Sequence, residues 1–359
     1  MTDTREAWTK APHNQPEDGN SRASRKRAPS IIIVVIVILV CGVAAAIWTW
    51  NRPLGRSLEP DTVPLPESQS LETGSSTPQC GGPRVMMILL VGKDVTVQVQ
   101  SPGNPNDYDQ GFADAIRLVR VDFVAGRMSM VAIPRDLWVT VPGLQEYGIE
   151  ANRLKYGYAY GYRYFDEDYG PILLAQTLAE NFDVALDHYV VVNLQAVAEG
   201  VDAIGGIDIT LDTPLDLRND AGDGYYFPAG NNHLDGQATV DYARARPENS
   251  SDLFRIERQT EIIQAVQERL LAPDVLPTLP RLAQSMRASV LTDLSPADIS
   301  TLICLARQMN SSDITNYTLD ENSFTPIVDQ FGFQAFLPDF EAIISYLAKF
   351  QAGDLPGQH

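Results

Sequence analysis

Cations are scarce in this chain of 359 residues: 27 Lys and Arg stand against 46 Asp and Glu, a formal net charge of −19. A deficit of that size argues against nucleic acid as a partner, which requires a basic face. Histidine is scarcer still, with four in all, and His13 and His359 lie in the terminal tails. His188 and His233 remain, and neither sits in a pattern with metal-ligand spacing. A zinc centre or a Ser/His/Asp hydrolase is therefore not expected, and both histidines read as ordinary surface or core residues. Any chemistry must rest on carboxylates and arginines.

Charge is absent altogether from Ile31 to Trp50. Twenty uncharged residues at about 1.5 Å each cover a hydrocarbon layer roughly 30 Å thick, so the run reads as a transmembrane helix. Arg22, Arg25, Lys26 and Arg27 precede it, and Trp48 and Trp50 lie at its far end. The positive-inside rule then puts residues 1–30 in the cytoplasm as a disordered tail and everything after the span outside the cell membrane. A cleaved signal peptide is the competing reading, but the run exceeds a normal h-region and no small-x-small site precedes Asn51. The tail carries a net +2, which leaves −21 for the part beyond the span.

Cysteine is nearly absent as well. Cys41 falls inside the span, and Cys80 and Cys304 are the two outside it. In a compartment where thiols oxidise, these two are expected to form a disulfide.

Residues 51–83 are rich in Pro, Ser, Thr, Gly and Glu without apolar periodicity and read as a flexible extracytoplasmic linker, reaching about 30 Å if a random coil. Order begins at Val85–Gly92, a continuous apolar run suited to a strand buried on both faces. Further strands are expected at 115–123, 128–134, 189–194, 206–211 and 313–319. Helical patterns occupy 172–182, 194–204, 253–271, 281–309 with a restart at Ser295, and 340–350. Strands mixed with helices on this scale imply an α/β domain, a central mixed sheet covered by helices on both faces, over residues 84–271. Residues 272–350 read as a helical and strand extension packing on it.

The helix at 253–271 is capped by Ser251 or Asp252 and places Arg255, Arg258 and Gln259 on neighbouring positions of its first turns. Its free N–H groups favour an anion. Tyr242-Ala-Arg-Ala-Arg246 brings Arg244 and Arg246 close in sequence. Guanidinium forks gathered in so acidic a chain point to a polyanion, phosphate above all. Asp94 follows a buried strand and a glycine, where functional side chains collect in α/β sheets, and Asp114 precedes the next strand. Two carboxylates at neighbouring strand ends can share magnesium, which takes one or two carboxylates plus phosphate oxygens. Arg135-Asp136 ends a strand and, taken alone, reads as a surface ion pair.

In order along the chain, Gly92-Lys-Asp94, Ala113-Asp-Ala-Ile116, Ile133-Pro-Arg-Asp136, Arg153-Leu-Lys-Tyr-Gly-Tyr-Ala-Tyr-Gly161, Asp187-His-Tyr-Val-Val-Val192, Val201-Asp-Ala-Ile-Gly-Gly-Ile-Asp208, His233-Leu-Asp-Gly236, Tyr242-Ala-Arg-Ala-Arg246 and Arg255-Ile-Glu-Arg-Gln259 resemble the motifs of the LytR-CpsA-Psr family. The resemblance implies an extracytoplasmic phosphotransferase that moves a glycopolymer from a polyprenyl-pyrophosphate carrier to peptidoglycan as a phosphodiester. It further implies that Asp94 and Asp114 hold magnesium, or manganese in its place. Arg135, Arg244, Arg246 and Arg255 would grip the pyrophosphate, with Arg153, Lys155, Asp252, Arg258 and Gln259 in support, and the lipid tail would fill an apolar tunnel. Two departures stand out. Phe112 occupies a position that is basic in many relatives, and Arg153-Leu-Lys155 replaces a Lys-Ile-Asn-like segment. A hydrolase of the same lipid and a non-catalytic envelope regulator are the alternative readings.

Overall fold

The computed structural model describes residues 58, 77–94, 111–166, 168–218, 224–245, 252–270, 275, 290–306, 308–309 and 311–356. Residues 1–30, read above as a cytoplasmic tail, residues 31–50, read as a transmembrane helix, nearly all of the 51–76 stretch and Arg246 lie outside the described residues, and Asp94 and Asp252 are described by backbone alone. Among the described residues no helix is long and apolar enough to cross a membrane.

Val85–Asp94 forms β1, followed by Phe112–Asp122 (β2) and Arg127–Ile133 (β3) in an antiparallel meander. Trp138–Thr140 (β4) pairs with Ala151–Arg153 (β5) and leads into helices α1 (Lys155–Tyr164) and α2 (Gly170–Phe182). His188–Asn193 (β6) returns parallel to β1, and α3 (Leu194–Ala203) and β7 (Ile207–Leu211) come next. The short strands β8 (Leu215–Asp216), β9 (Tyr226–Phe227) and β10 (Gly230–Leu234) precede α4 (Gly236–Arg244) and α5 (Asp252–Leu270). The last third supplies β11 (Val290–Thr292), α6 (Pro296–Ala306), β12 (Ile314–Thr318), the hairpin β13 (Phe324–Val328) and β14 (Gln334–Pro338), and α7 (Phe340–Ala352).

The central sheet has the order β11-β6-β1-β2-β3-β12. Strands β1, β3, β6 and β12 run one way and β2 and β11 the other, so the sheet is mixed. Because side chains alternate along a strand, each strand feeds two cores. Met86, Ile88, Val119, Val121 and Met130 pack under α3 to α6. Met87, Leu89, Leu118, Val131 and Val191 pack under α1, α2 and α7. The result is three layers, helix, sheet, helix.

Asn193 and Asp235 start α3 and α4 by accepting the amides of Ala196 and Ala238 at 2.7 and 2.8 Å. Those two helices touch at Gly236, where a Cβ would stand 2.1 Å from the Ala198 carbonyl oxygen.

The helix expected across 281–309 is corrected by the structure. Val290–Thr292 is instead an edge strand antiparallel to β6, Pro296–Ala306 is helical as expected for a restart at Ser295, and residues 281–289 lie outside the described residues. The exposed edge of β6 needs a partner for its backbone groups, and that tertiary demand overrides the helical pattern. Cys80 and Cys304 are joined with their Cα atoms 5.7 Å apart, tying the entry to β1 to α6. Leu58, within the stretch read as linker, is buried in the α1/α2/α7 core, and its N–H lies 3.4 Å from an Asp293 oxygen.

Candidate functional site

The C-terminal ends of β1, β3, β6 and β12 and the start of β2 share one edge of the sheet, where α/β folds place their ligands. At that edge the β1–β2 register slips: Gly92 pairs with Ala115 but Lys93 with Ala113, which leaves Asp114 as the extra residue of a bulge. Such a bulge re-aims a side chain, and here it turns Asp114 toward Arg135. Arg135 lies two residues beyond the end of β3 and forms an ion pair with Asp114.

Asp136 is the counter-ion of three cations. Lys155 Nζ lies 2.7 Å from its Oδ1, Arg135 Nε 3.4 Å from its Oδ2 and Arg153 Nη1 3.9 Å from its Oδ1. Burial pushes its carboxyl up, yet Arg135, Lys155 and Arg153 together hold it below the usual carboxylate range. Burial drives the Lys155 ammonium down to about 8, with Arg135 adding to the fall and Asp136 opposing it. The backbone fixes this group as well, since the Lys155 amide donates to the Arg135 carbonyl at 2.9 Å and that of Leu154 to Leu137 at 2.8 Å.

The β13–β14 hairpin completes the wall. Phe336 N–H donates to the Asp136 carbonyl at 2.9 Å. At the hairpin tip Asp329 accepts the amides of Phe331 and Phe333, both at 2.9 Å, and its other oxygen lies 3.4 Å from Arg153 Nε. The Arg153 guanidinium sits 5.0 Å from the Phe333 ring and 5.1 Å from Tyr156. A planar cation with a ring at each contact and two carboxylates in reach is firmly oriented. Phe112 packs edge-on against Tyr156 with centroids 4.9 Å apart and lies 5.9 Å from Lys155 Nζ. A ring at that position therefore supports a neighbouring cation rather than offering its own.

A second set of cations comes from α4 and α5. Arg244 ends α4, Arg255 is buried in the first turns of α5, and Gln259 follows it one turn later. Arg258 stacks 4.9 Å over the Tyr242 ring, whose hydroxyl donates to Glu261 at 2.5 Å. The two sets meet through β2: the Nη2 of Arg117 donates to the Thr260 hydroxyl at 2.9 Å and lies 3.5 Å from the Ile256 carbonyl. That contact lays the first turns of α5 over the part of β2 that follows Asp114.

Asp114, Arg135, Arg153 and Lys155 are thus gathered as the sequence suggested, with Asp136 at their centre. Asp94 enters through its backbone, paired with Phe112 across from the bulge. His188 and His233 face Asp293 and Asp208 elsewhere. Asp329, Phe333 and Arg117 stand in none of the sequence motifs and join the site only in the fold. Only the Asp329-Gln-Phe-Gly332 run carried a local signal, that of a turn closed on an Asp side chain with Gly332 at φ 84°.

Comparison with known proteins agrees with this architecture. The Polyisoprenyl-teichoic acid--peptidoglycan teichoic acid transferase TagU of Oceanobacillus iheyensis is 27% identical over 303 residues, covering 82% of this chain and 81% of its own. The crystal structure of protein gbs0355 from Streptococcus agalactiae superposes with a TM-score of 0.60 at 20% identity, over 77% of this chain and 90% of that one. TagT bound to LIIa-WTA gives 0.54 at 21% identity, over 76% and 91%. The model of the LytR_cpsA_psr family matches residues 71–340, most of the chain. The chain belongs to the LytR-CpsA-Psr family.

Proposed function

We propose that the protein is a membrane-anchored extracytoplasmic phosphotransferase that moves a glycopolymer from a polyprenyl-pyrophosphate carrier to peptidoglycan. The observation that carries the reading is the gathering of Arg135, Arg153 and Lys155 around one buried carboxylate at the ligand edge of an acidic protein. A diphosphate is the kind of anion so dense a set of donors suits. The transferase name of the Oceanobacillus relative supports the same class of reaction.

In the step proposed, an acceptor sugar hydroxyl attacks the phosphorus that bears the glycan. A new P–O–C bond forms, the P–O–P bond breaks, the prenyl monophosphate leaves with the electron pair, and the hydroxyl proton passes to a base. Positioning and charge neutralisation supply most of the acceleration in such transfers. Arg135, Arg153 and Lys155 would hold the phosphate oxygens from one side, and Arg244, Arg246 and Arg255 from the other, with Asp252, Arg258 and Gln259 in support. Asp136 is a poor proton acceptor, because three cations hold its carboxyl ionised. Asp94 and Asp114 are the candidates proposed for that role or for a metal.

Those two residues suit a hard divalent cation by their chemistry, as carboxylates carried on two strands whose backbones pair beside the bulge. Magnesium bound there would neutralise charge on the diphosphate. The chain's own residues would bind the donor, orient its phosphorus and keep water away.

The test is transfer of a glycan from a polyprenyl-pyrophosphate donor to peptidoglycan by the full chain and by Asp114→Ala and Arg244→Ala. Loss of phosphodiester product in both variants is expected. Undiminished turnover in both would remove the mechanism, and release of free glycan phosphate in place of the phosphodiester would assign a hydrolase instead.

A further inference from the structure

Arg117 is the charge that the fold explains least. It sits on β2 only 2% exposed, between Ile116 and Leu118, which face the opposite core. Its side chain therefore enters the apolar layer under α5. Nη2 has the Thr260 hydroxyl, but Nη1 is buried without a hydrogen-bond partner among the described residues. Burial alone moves the group, down to about 10, with no neighbouring carboxylate offsetting it among the described residues, so it stays charged at neutral pH. A buried guanidinium without a counter-ion is destabilising, and replacement by a well-packed apolar side chain commonly improves stability. Such a group is expected to have a use.

Its surroundings say which. Nη2 lies against the backbone of Ile256, the residue after Arg255, so Arg117 sits beneath the turn of α5 that carries Arg255. The walls around it are apolar, with Val119, Ile256 and Ile262 all buried. An anion that reaches Nη1 must therefore carry its charge at the head of an apolar chain. We propose that Arg117 is a further donor-binding residue, whose Nη1 takes an oxygen of the phosphate nearest a prenyl chain seated between the central sheet and α5. This rests on the function proposed above. Arg117 would fix how deep the donor sinks and would discriminate a phosphorylated prenyl chain from a neutral one.

The experiment uses the full chain in detergent, with geranylgeranyl diphosphate and geranylgeraniol as probes, and the variants Arg117→Met, Arg117→Lys and Arg244→Ala. Arg117→Met is expected to raise Tm while weakening diphosphate binding at least tenfold, and to leave geranylgeraniol binding unchanged. Unchanged diphosphate binding in Arg117→Met overturns the assignment. If Arg117→Met lowers both Tm and affinity, Arg117→Lys decides: recovered affinity supports a cation contact, and affinity as weak as the Met variant's shows a structural arginine and overturns it. Should Arg244→Ala lose binding while Arg117→Met keeps it, only the role of Arg117 falls. If the wild-type chain binds neither probe, the proposed function falls and the assignment with it.

Discussion

Affinity for a phosphorylated ligand should fall as the solution is made alkaline, at a pH well below that of ordinary lysine titration. Lys155 is the reason. Its side chain is only 12% exposed, and burial together with Arg135 brings its pKa to about 8 against the ordinary 10.5. The ammonium form attracts phosphate and the neutral amine does not. About nine-tenths of the molecules carry the charge at about pH 7 and about one-tenth at about pH 9, so affinity should drop about tenfold over that interval. A bound anion raises the lysine pKa again, so the decline continues at about tenfold per pH unit until the pKa of the complex is reached. The phosphate contributes little to the slope, because its second proton leaves near pH 6. The assay is titration calorimetry with geranylgeranyl diphosphate at several pH values, on the wild type and on Lys155→Arg. Arginine keeps its charge throughout, so that variant should be nearly flat across the range. A flat wild-type profile, or an equal decline in Lys155→Arg, would refute the reasoning.

Three further outcomes are expected. Asp329→Asn keeps an oxygen for the Phe331 and Phe333 amides but removes the charge facing Arg153, so urea unfolding should show a loss of about 1–3 kcal/mol. Asp329→Ala, which gives up those amides as well, should lose about 3–5 kcal/mol. Replacing both Cys80 and Cys304 by Ser opens a loop with a sequence separation of 224 and should cost about 2–5 kcal/mol, seen as a lower Tm that reductant does not lower further. Gly161→Ala would put a Cβ 2.4 Å from the Tyr169 carbonyl oxygen where α1 meets α2, and a loss of about 1–3 kcal/mol in thermal unfolding is expected.

The layered fold was legible because β1 is apolar without interruption and α2, α3 and α5 carry clear helical patterns, so their expected and observed limits differ by few residues. What escaped was structure made by partners far away in sequence. β11 is three residues long and becomes a strand only because β6 offers an edge. The β13–β14 hairpin contains Pro326 and exposed Val328 and Leu337, a poor strand pattern, and is held in part by the Leu137–Phe336 bridge. α1 is hidden in the sequence because its Tyr and Gly residues blur the periodicity, although Tyr156, Tyr160 and Tyr164 pack against one another one turn apart once it forms.

Much the same holds for the site. Asp114, Arg135, Arg153 and Lys155 could be named because each follows or precedes a recognisable strand or motif. That Asp136 binds three of the cations could not be read from an adjacent Arg-Asp pair, whose usual meaning is a solvated surface contact. Asp329 is joined to Arg153 across 176 positions, and no local pattern announces that pairing. Arg117 looked like one polar position of an alternating strand, and only the packing of α5 above it reveals an enclosed charge.

Both flanks of the central sheet, β11 and β12, come from the final third of the polypeptide. During synthesis the middle strands must wait with open borders until residue 318 has emerged, and a ribosome-bound fragment ending near residue 271 would present β6 and β3 as sticky margins ready to pair with other chains. Cys304 lies between the two outer strands in the chain, so the covalent link to Cys80 can close only after β11 has been made and can do so before β12 is.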